Sequence, residues 1–189
     1  MATINPNLLG QVYYAALPMC LSVLEQELGL VSLEFIPKDG PLSLQTNDGQ
    51  FEKLFLPPDF SIGRTTMIDK AWQIKDPQIF ANQLSKEGKC CLVDIGANVG
   101  LFTRQLLHLA PDKIHEVYMY EPDPFNYELL KKNIPRDSKK TFVNSAVSSS
   151  SESSKDFFKD PLNSGNYSFY QELMPTDGYE RINVSTISA

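Results

Sequence analysis

Leu92-Val93-Asp94-Ile95-Gly96-Ala97-Asn98-Val99-Gly100 passes from a short apolar strand into a glycine turn, and Leu101 to Ala110 beyond it is an apolar-periodic helix stopped by Pro111. Glycine at such a junction lets the backbone turn sharply and lets a ligand approach without a Cβ in the way. The helix N-terminus that follows offers unpaired N–H groups. The spacing is D-x-G-x-N-x-G, with the acid two positions before the first glycine, and it differs from the G-x-G-x-x-G of dinucleotide-binding enzymes. Asn98 occupies a position where glycine is common in related loops, and asparagine is among the few other residues that tolerate a positive φ.

Downstream, the pattern repeats as strand and helix. Glu116 to Glu121 is a strand, Pro122-Asp123-Pro124 a turn, about Phe125 to Asn133 a helix, and Thr141 to Val147 a third strand. This β-α-β-α-β order with short connections requires parallel strands, placed in the sheet as three-two-one. Glu121 ends the second strand, 21 residues beyond Gly100. The carboxyl ends of neighbouring strands in such a sheet open into one crevice, where a carboxylate can accept hydrogen bonds from both hydroxyls of a ribose. A serine-rich polar loop, Ser148 to Ser154, follows, then Asn163 to Ser168 and a last strand, Arg181 to Ile187.

Upstream, Asp76 to Lys86 reads as a helix with Asp76 as N-cap and Pro77 at its first position. Asn5 to Gly29 is broadly helical with a break at Pro18. Val31 to Ile36 alternates as a strand, and Asp39-Gly40 and Asn47-Asp48-Gly49 supply turns. Residues 1–75 therefore read as a small α+β appendage, and residues 76–189 as a partial Rossmann-like domain.

The composition is that of a globular protein, 42% hydrophobic and 21% charged, with a formal net charge of −6. That balance argues against nucleic-acid binding, which needs clustered cations; Lys131, Lys132, Arg136, Lys139 and Lys140 read as a solvated helix end. Leu8 to Leu24 is uncharged but carries Gln11, Pro18 and Ser22, and it resembles neither a signal peptide nor a membrane span. Cys20, Cys90 and Cys91 show no metal-ligand spacing and read as reduced core residues of a cytoplasmic protein. His108 and His115 read as structural, and Trp72, Tyr118 and Tyr120 as core or interface aromatics.

Val93 to Gly100 with Thr103, Tyr120-Glu121-Pro122-Asp123-Pro124 with Leu129 and Asn133, and Val143 to Ser148 closely resemble blocks of the FkbM-type S-adenosylmethionine-dependent methyltransferases, and Ser164 to Ser168 looks like a further one. The resemblance covers about residues 90–189 and implies a class I methyltransferase sheet. It also implies that Asp94, Gly96, Ala97, Asn98 and Gly100 hold the methionine side of S-adenosylmethionine, Glu121 the ribose, and Asn144 to Ala146 the neighbourhood of the adenine. The acceptor it implies is a hydroxyl on a sugar or other small metabolite, and no residue is marked as a catalytic base. Singly, Asp94 could cap its turn, Gly96 and Gly100 could serve close packing, and Asn144 could satisfy a loop.

In that family a fourth strand with a Lys-Ile-Asp-x-Glu-Gly-like block should follow, and Ile182 to Ala189 resembles only the lead-in to it. The expectation is an incomplete sheet, with Leu92 to Ile95, a strand suited to burial on both faces, left at an open edge. A fragment, a shortened chain or a split protein would each explain this, and self-association or a partner covering the edge is expected. Two other readings compete: a non-catalytic cofactor-binding or interaction subunit, and a nicotinamide-dependent oxidoreductase, which the glycine spacing disfavours.

Overall fold

In the computed structural model the described residues are 33–35, 53–57, 59, 61–69, 71–160, 163–174 and 178–188. The helix expected over 5–29, the Leu8 to Leu24 segment, Cys20, and the turns at Asp39-Gly40 and Asn47-Asp48-Gly49 lie outside them. Of the strand expected at 31–36, β1 (Leu33–Phe35) is described, and it pairs antiparallel with β2 (Leu54–Leu56). Two helices follow, α1 (Ile62–Asp69) and α2 (Lys75–Leu84). Asp76 does not cap α2. The helix starts two residues earlier, with Ile74 at its N-cap and no side-chain cap, because the turn at Gln73 already takes the Asp76 N–H on its carbonyl, 3.0 Å away.

The α/β unit comprises β3 (Cys90–Ile95), α3 (Leu101–Leu109), β4 (Ile114–Tyr120), α4 (Pro124–Asn133) and β5 (Lys140–Val143). Its strands form a three-stranded parallel sheet in the order β3-β4-β5. Alternation along each strand sends Leu92, Val117, Met119 and Phe142 to one face, where Leu107 of α3 and Tyr127 and Leu130 of α4 cover them. His115 lies inside β4 rather than ahead of it.

The opposite face is uncovered among the described residues. Val93 is 55% and Ile95 61% exposed, so β3 is not buried on both faces as its apolar sequence led one to expect. Cys91 shares that face and is exposed, and Cys90 is half-buried; both are free thiols, and Cys91 is not a core residue. Each follows from the same period of two, because α3 and α4 both lie on the other side.

The strand expected over Thr141 to Val147 is broken. Asn144 and Ser145 separate β5 from β6 (Ala146–Ser148), which belongs to a second sheet. There β6 runs parallel to β8 (Glu180–Ser188), whose other edge pairs antiparallel with β7 (Ser154–Lys159). The Asn144 amide turns the chain at the break by donating to the carbonyls of Glu121 (2.8 Å) and Pro122 (3.1 Å).

Leu54, Leu56 and Ile62 share one core with Val99, Leu101 and Leu129, so β2 and α1 pack onto the α/β unit across the 75/76 boundary. Asn133, fully buried at the end of α4, fixes that packing by accepting from Phe55 N (2.7 Å) and donating to Phe55 O and Val99 O (both 2.8 Å). Leaving any of these backbone groups unpaired would cost about 1–3 kcal/mol. Basic residues in the last turn of α4 and beyond it are paired or stacked: Lys131 with Glu128, Lys140 with Asp137, Lys132 over Phe55 and Arg136 over Phe142. No helix among the described residues is long and apolar enough to cross a membrane.

Candidate functional site

The turn after β3 is held by its neighbour strand. Gly96 N and Ala97 N both donate to Tyr120 O, each at 2.9 Å, and Gly100 N closes on Ala97 O at 2.8 Å. Gly96 takes φ 79° and a Cβ built there would meet nothing within 4 Å, so open space lies directly over it. Gly100 differs. At φ 84° it caps α3, and a Cβ there would stand 2.7 Å from Leu130 Cδ1 and 3.1 Å from Ile134 Cγ1, so this glycine permits close packing of the turn on α4. Asn98 takes φ 51°, bonds Val99 N through its Oδ1 (2.8 Å) and donates its amide to Ser164 O (2.7 Å).

Glu121 follows β4 and reaches back to the same turn. One carboxylate oxygen accepts from Asn98 N (2.8 Å) and the other from Asp123 N (2.9 Å), with the residue only 4% exposed. A carboxylate has about four acceptor positions, so each oxygen keeps one lone pair for a further donor. Burial pushes the Glu121 carboxyl up to about 7; the two backbone N–H bonds oppose the shift, and the charges of Asp123 and Asp94 add to it. Asp94 accepts the Thr103 hydroxyl, and burial raises its carboxyl above the ordinary range.

Glu121 carries a pH signature. Its unfolded carboxyl titrates near 4.5 and its folded one near 7, so between those values the folded chain holds a proton that the unfolded chain has lost. Its contribution to stability is complete below pH 4.5 and is lost as pH rises through 7. Relative to Glu121→Gln, wild type should lose roughly 3 kcal/mol between those limits. Urea denaturation of both proteins at pH 4.5 and 8 measures this, and a difference independent of pH would show that Glu121 is not buried in this way.

A cleft of about 380 Å³ lies over the turn, walled by Asp94, Gly96, Asn98, Trp72, Gln73 and Phe102, with Ala97 and Asp76 also contributing. Glu121, Asn144 and Ala146 do not line it. Glu121 joins it through Asn98, and Asn144 joins Glu121 through the latter's carbonyl. Ala146 is buried against Phe157 and Val184 in the second sheet.

Sequence reasoning missed the far side of this network. Asp59, 3% exposed, accepts from Gly63 N (2.7 Å), from Ser164 N (2.8 Å) and from the Ser164 hydroxyl, and so fixes the carbonyl that receives the Asn98 amide. Burial raises the Asp59 carboxyl despite those bonds. An acid just ahead of a helix start was the available signal, but its partner lies 105 residues away. Asp123, also buried, caps α4 through Asn126 N (2.8 Å) and pairs with Lys159 of β7 (2.8 Å), joining the second sheet to the turn after β4.

No group of His, Cys, Asp and Glu among the described residues could hold a metal ion. The chain matches no protein-family model, no curated protein and no solved structure.

Proposed function

We propose that this chain binds S-adenosylmethionine across the Gly96 to Gly100 turn and belongs to a methyltransferase of the FkbM type, acting on a hydroxyl of a sugar or other small molecule. The observation that carries this reading is the pairing of Glu121, at the carboxyl end of β4, with the backbone of Asn98 in the turn after β3. Two neighbouring strand ends of a parallel sheet thereby share one polar crevice, the arrangement a nucleoside cofactor uses. The open space over Gly96 fits a ligand lying on the turn, as a Cβ there would obstruct its approach.

When bound, S-adenosylmethionine supplies a methyl group on a positively charged sulfur for in-line transfer to an acceptor oxygen. Glu121 offers one lone pair per oxygen to the two ribose hydroxyls, which favours its charged form, so affinity should rise with pH through about 7. Asp94 keeps one oxygen clear of Thr103 and faces the cleft, where its charge attracts the cationic end of the cofactor. Gly96 lets the ligand lie against the backbone, and Asn144 steadies the Glu121 carbonyl.

The exposed Val93 and Ile95 favour a second reading, a cofactor-binding subunit that completes its fold on a partner. Transfer of a labelled methyl group to a panel of sugars and small alcohols tests the first. Label in a hydroxyl product supports a methyltransferase; cofactor binding without transfer on any acceptor supports the subunit.

A further inference from the structure

Among the described residues, two that are not glycine take a left-handed backbone, Asn98 at φ 51° and Gln73 at φ 42°, and both line the cleft over the turn. Asparagine adopts that conformation readily; glutamine does not. Gln73 is held there from outside. Gln105, fully buried on α3, accepts from Trp72 N (3.2 Å) and donates to Trp72 O (2.7 Å), gripping the preceding residue by both backbone groups. The first turn of α2 grips the other side, since Asp76 N donates to Gln73 O at 3.0 Å. Strain that buried contacts maintain at a cleft wall indicates that the residue's position is used.

The wall's chemistry indicates the use. Among the described residues its side chains include two carboxylates, Asp94 and Asp76, which suit an ammonium group, and no Lys or Arg. An amino acid's carboxylate, a bond away from its ammonium carbon, would on this wall take a neutral donor. The Asn98 amide is engaged with Ser164 O, and Trp72 packs its ring on the Leu54 and Leu129 core. Gln73 remains: it is exposed to the cleft, and its side-chain amide makes no hydrogen bond among the described residues.

Resting on the reading of this cleft as the methionine end of a cofactor site, we propose that Gln73 is the specificity-determining residue for the cofactor's amino-acid end, its Nε2 donating to the carboxylate while Asp94 and Asp76 attract the ammonium. The amide then distinguishes a nucleoside carrying an amino acid from the bare nucleoside.

The test compares S-adenosylhomocysteine with adenosine, which lacks the amino-acid end, by calorimetry on wild type, Gln73→Gly and Gln73→Glu. Gln73→Gly frees the backbone of strain and removes the amide, so it should weaken S-adenosylhomocysteine roughly tenfold, leave adenosine unchanged and leave the melting midpoint no lower than wild type. Gln73→Glu should weaken S-adenosylhomocysteine further by setting like charges together. An unchanged preference for S-adenosylhomocysteine in both variants overturns the proposal and leaves the cofactor reading standing. Equal loss of both ligands also overturns it, by showing that Gln73 acts through the fold. Wild type that binds neither ligand overturns the cofactor reading and this inference with it.

Discussion

Gly63→Ala should leave little folded protein. A Cβ at this position in α1 would lie 1.9 Å from the carbonyl oxygen of Pro57, a backbone atom that cannot swing aside. Relief requires α1 to move off the end of β2, which opens the Leu54, Leu56 and Ile62 core and pulls Gly63 N from Asp59. Overpacking against side chains costs about 1–3 kcal/mol, and a backbone collision at a shared core should exceed about 4 kcal/mol. Gly88→Ala is the matched control, because a Cβ there meets nothing within 4 Å, and it should change stability by less than about 0.5 kcal/mol. Chemical denaturation of both variants checks the pair; similar midpoints would mean that α1 does not sit against Pro57.

Glu121→Ala should weaken S-adenosylmethionine by about 100-fold or more, since hydrogen bonds to a charged acceptor are worth about 1.5–3 kcal/mol each and two are proposed. The variant also frees Asn98 N and Asp123 N, loosening the turn on which the ligand would lie. Glu128→Ala, at an exposed glutamate paired with Lys131, should leave affinity unchanged. Glu121→Gln keeps the shape and one acceptor and should fall between them. Calorimetry on folded variants is the measurement, and equal affinity for wild type and Glu121→Ala would remove the carboxylate from the ribose.

The glycine turn was legible because its signals are local: an apolar strand, a turn that needs positive φ at Gly96, Asn98 and Gly100, and a periodic helix behind it. The parallel order β3-β4-β5 followed from connections too short for other pairings. What escaped was set at a distance. Whether Thr141 to Val147 stays one strand depends on β8, which draws Ala146 to Ser148 into another sheet some 40 residues later in the chain. Ser154 to Lys159 is too polar to declare itself and becomes β7 by pairing with that same strand. Nothing around Asp59 names Ser164, and nothing around Trp72 names Gln105; both contacts exist only after β2, α1 and α3 have packed.

The exposure of Cys91, Val93 and Ile95 was illegible for a related reason. An apolar strand records what it can be buried against, while its burial depends on which side the helices take, and α3 and α4 take the same one.

For the proposed binding of an adenosyl amino acid in the crevice between β3 and β4, the decisive experiment is a calorimetric titration of the wild-type chain with S-adenosylhomocysteine and, separately, with the oxidised nicotinamide dinucleotide. Saturable one-to-one binding of the first and no heat of binding from the second are expected. Saturation by the dinucleotide, or a folded chain that takes up neither, would contradict the proposal.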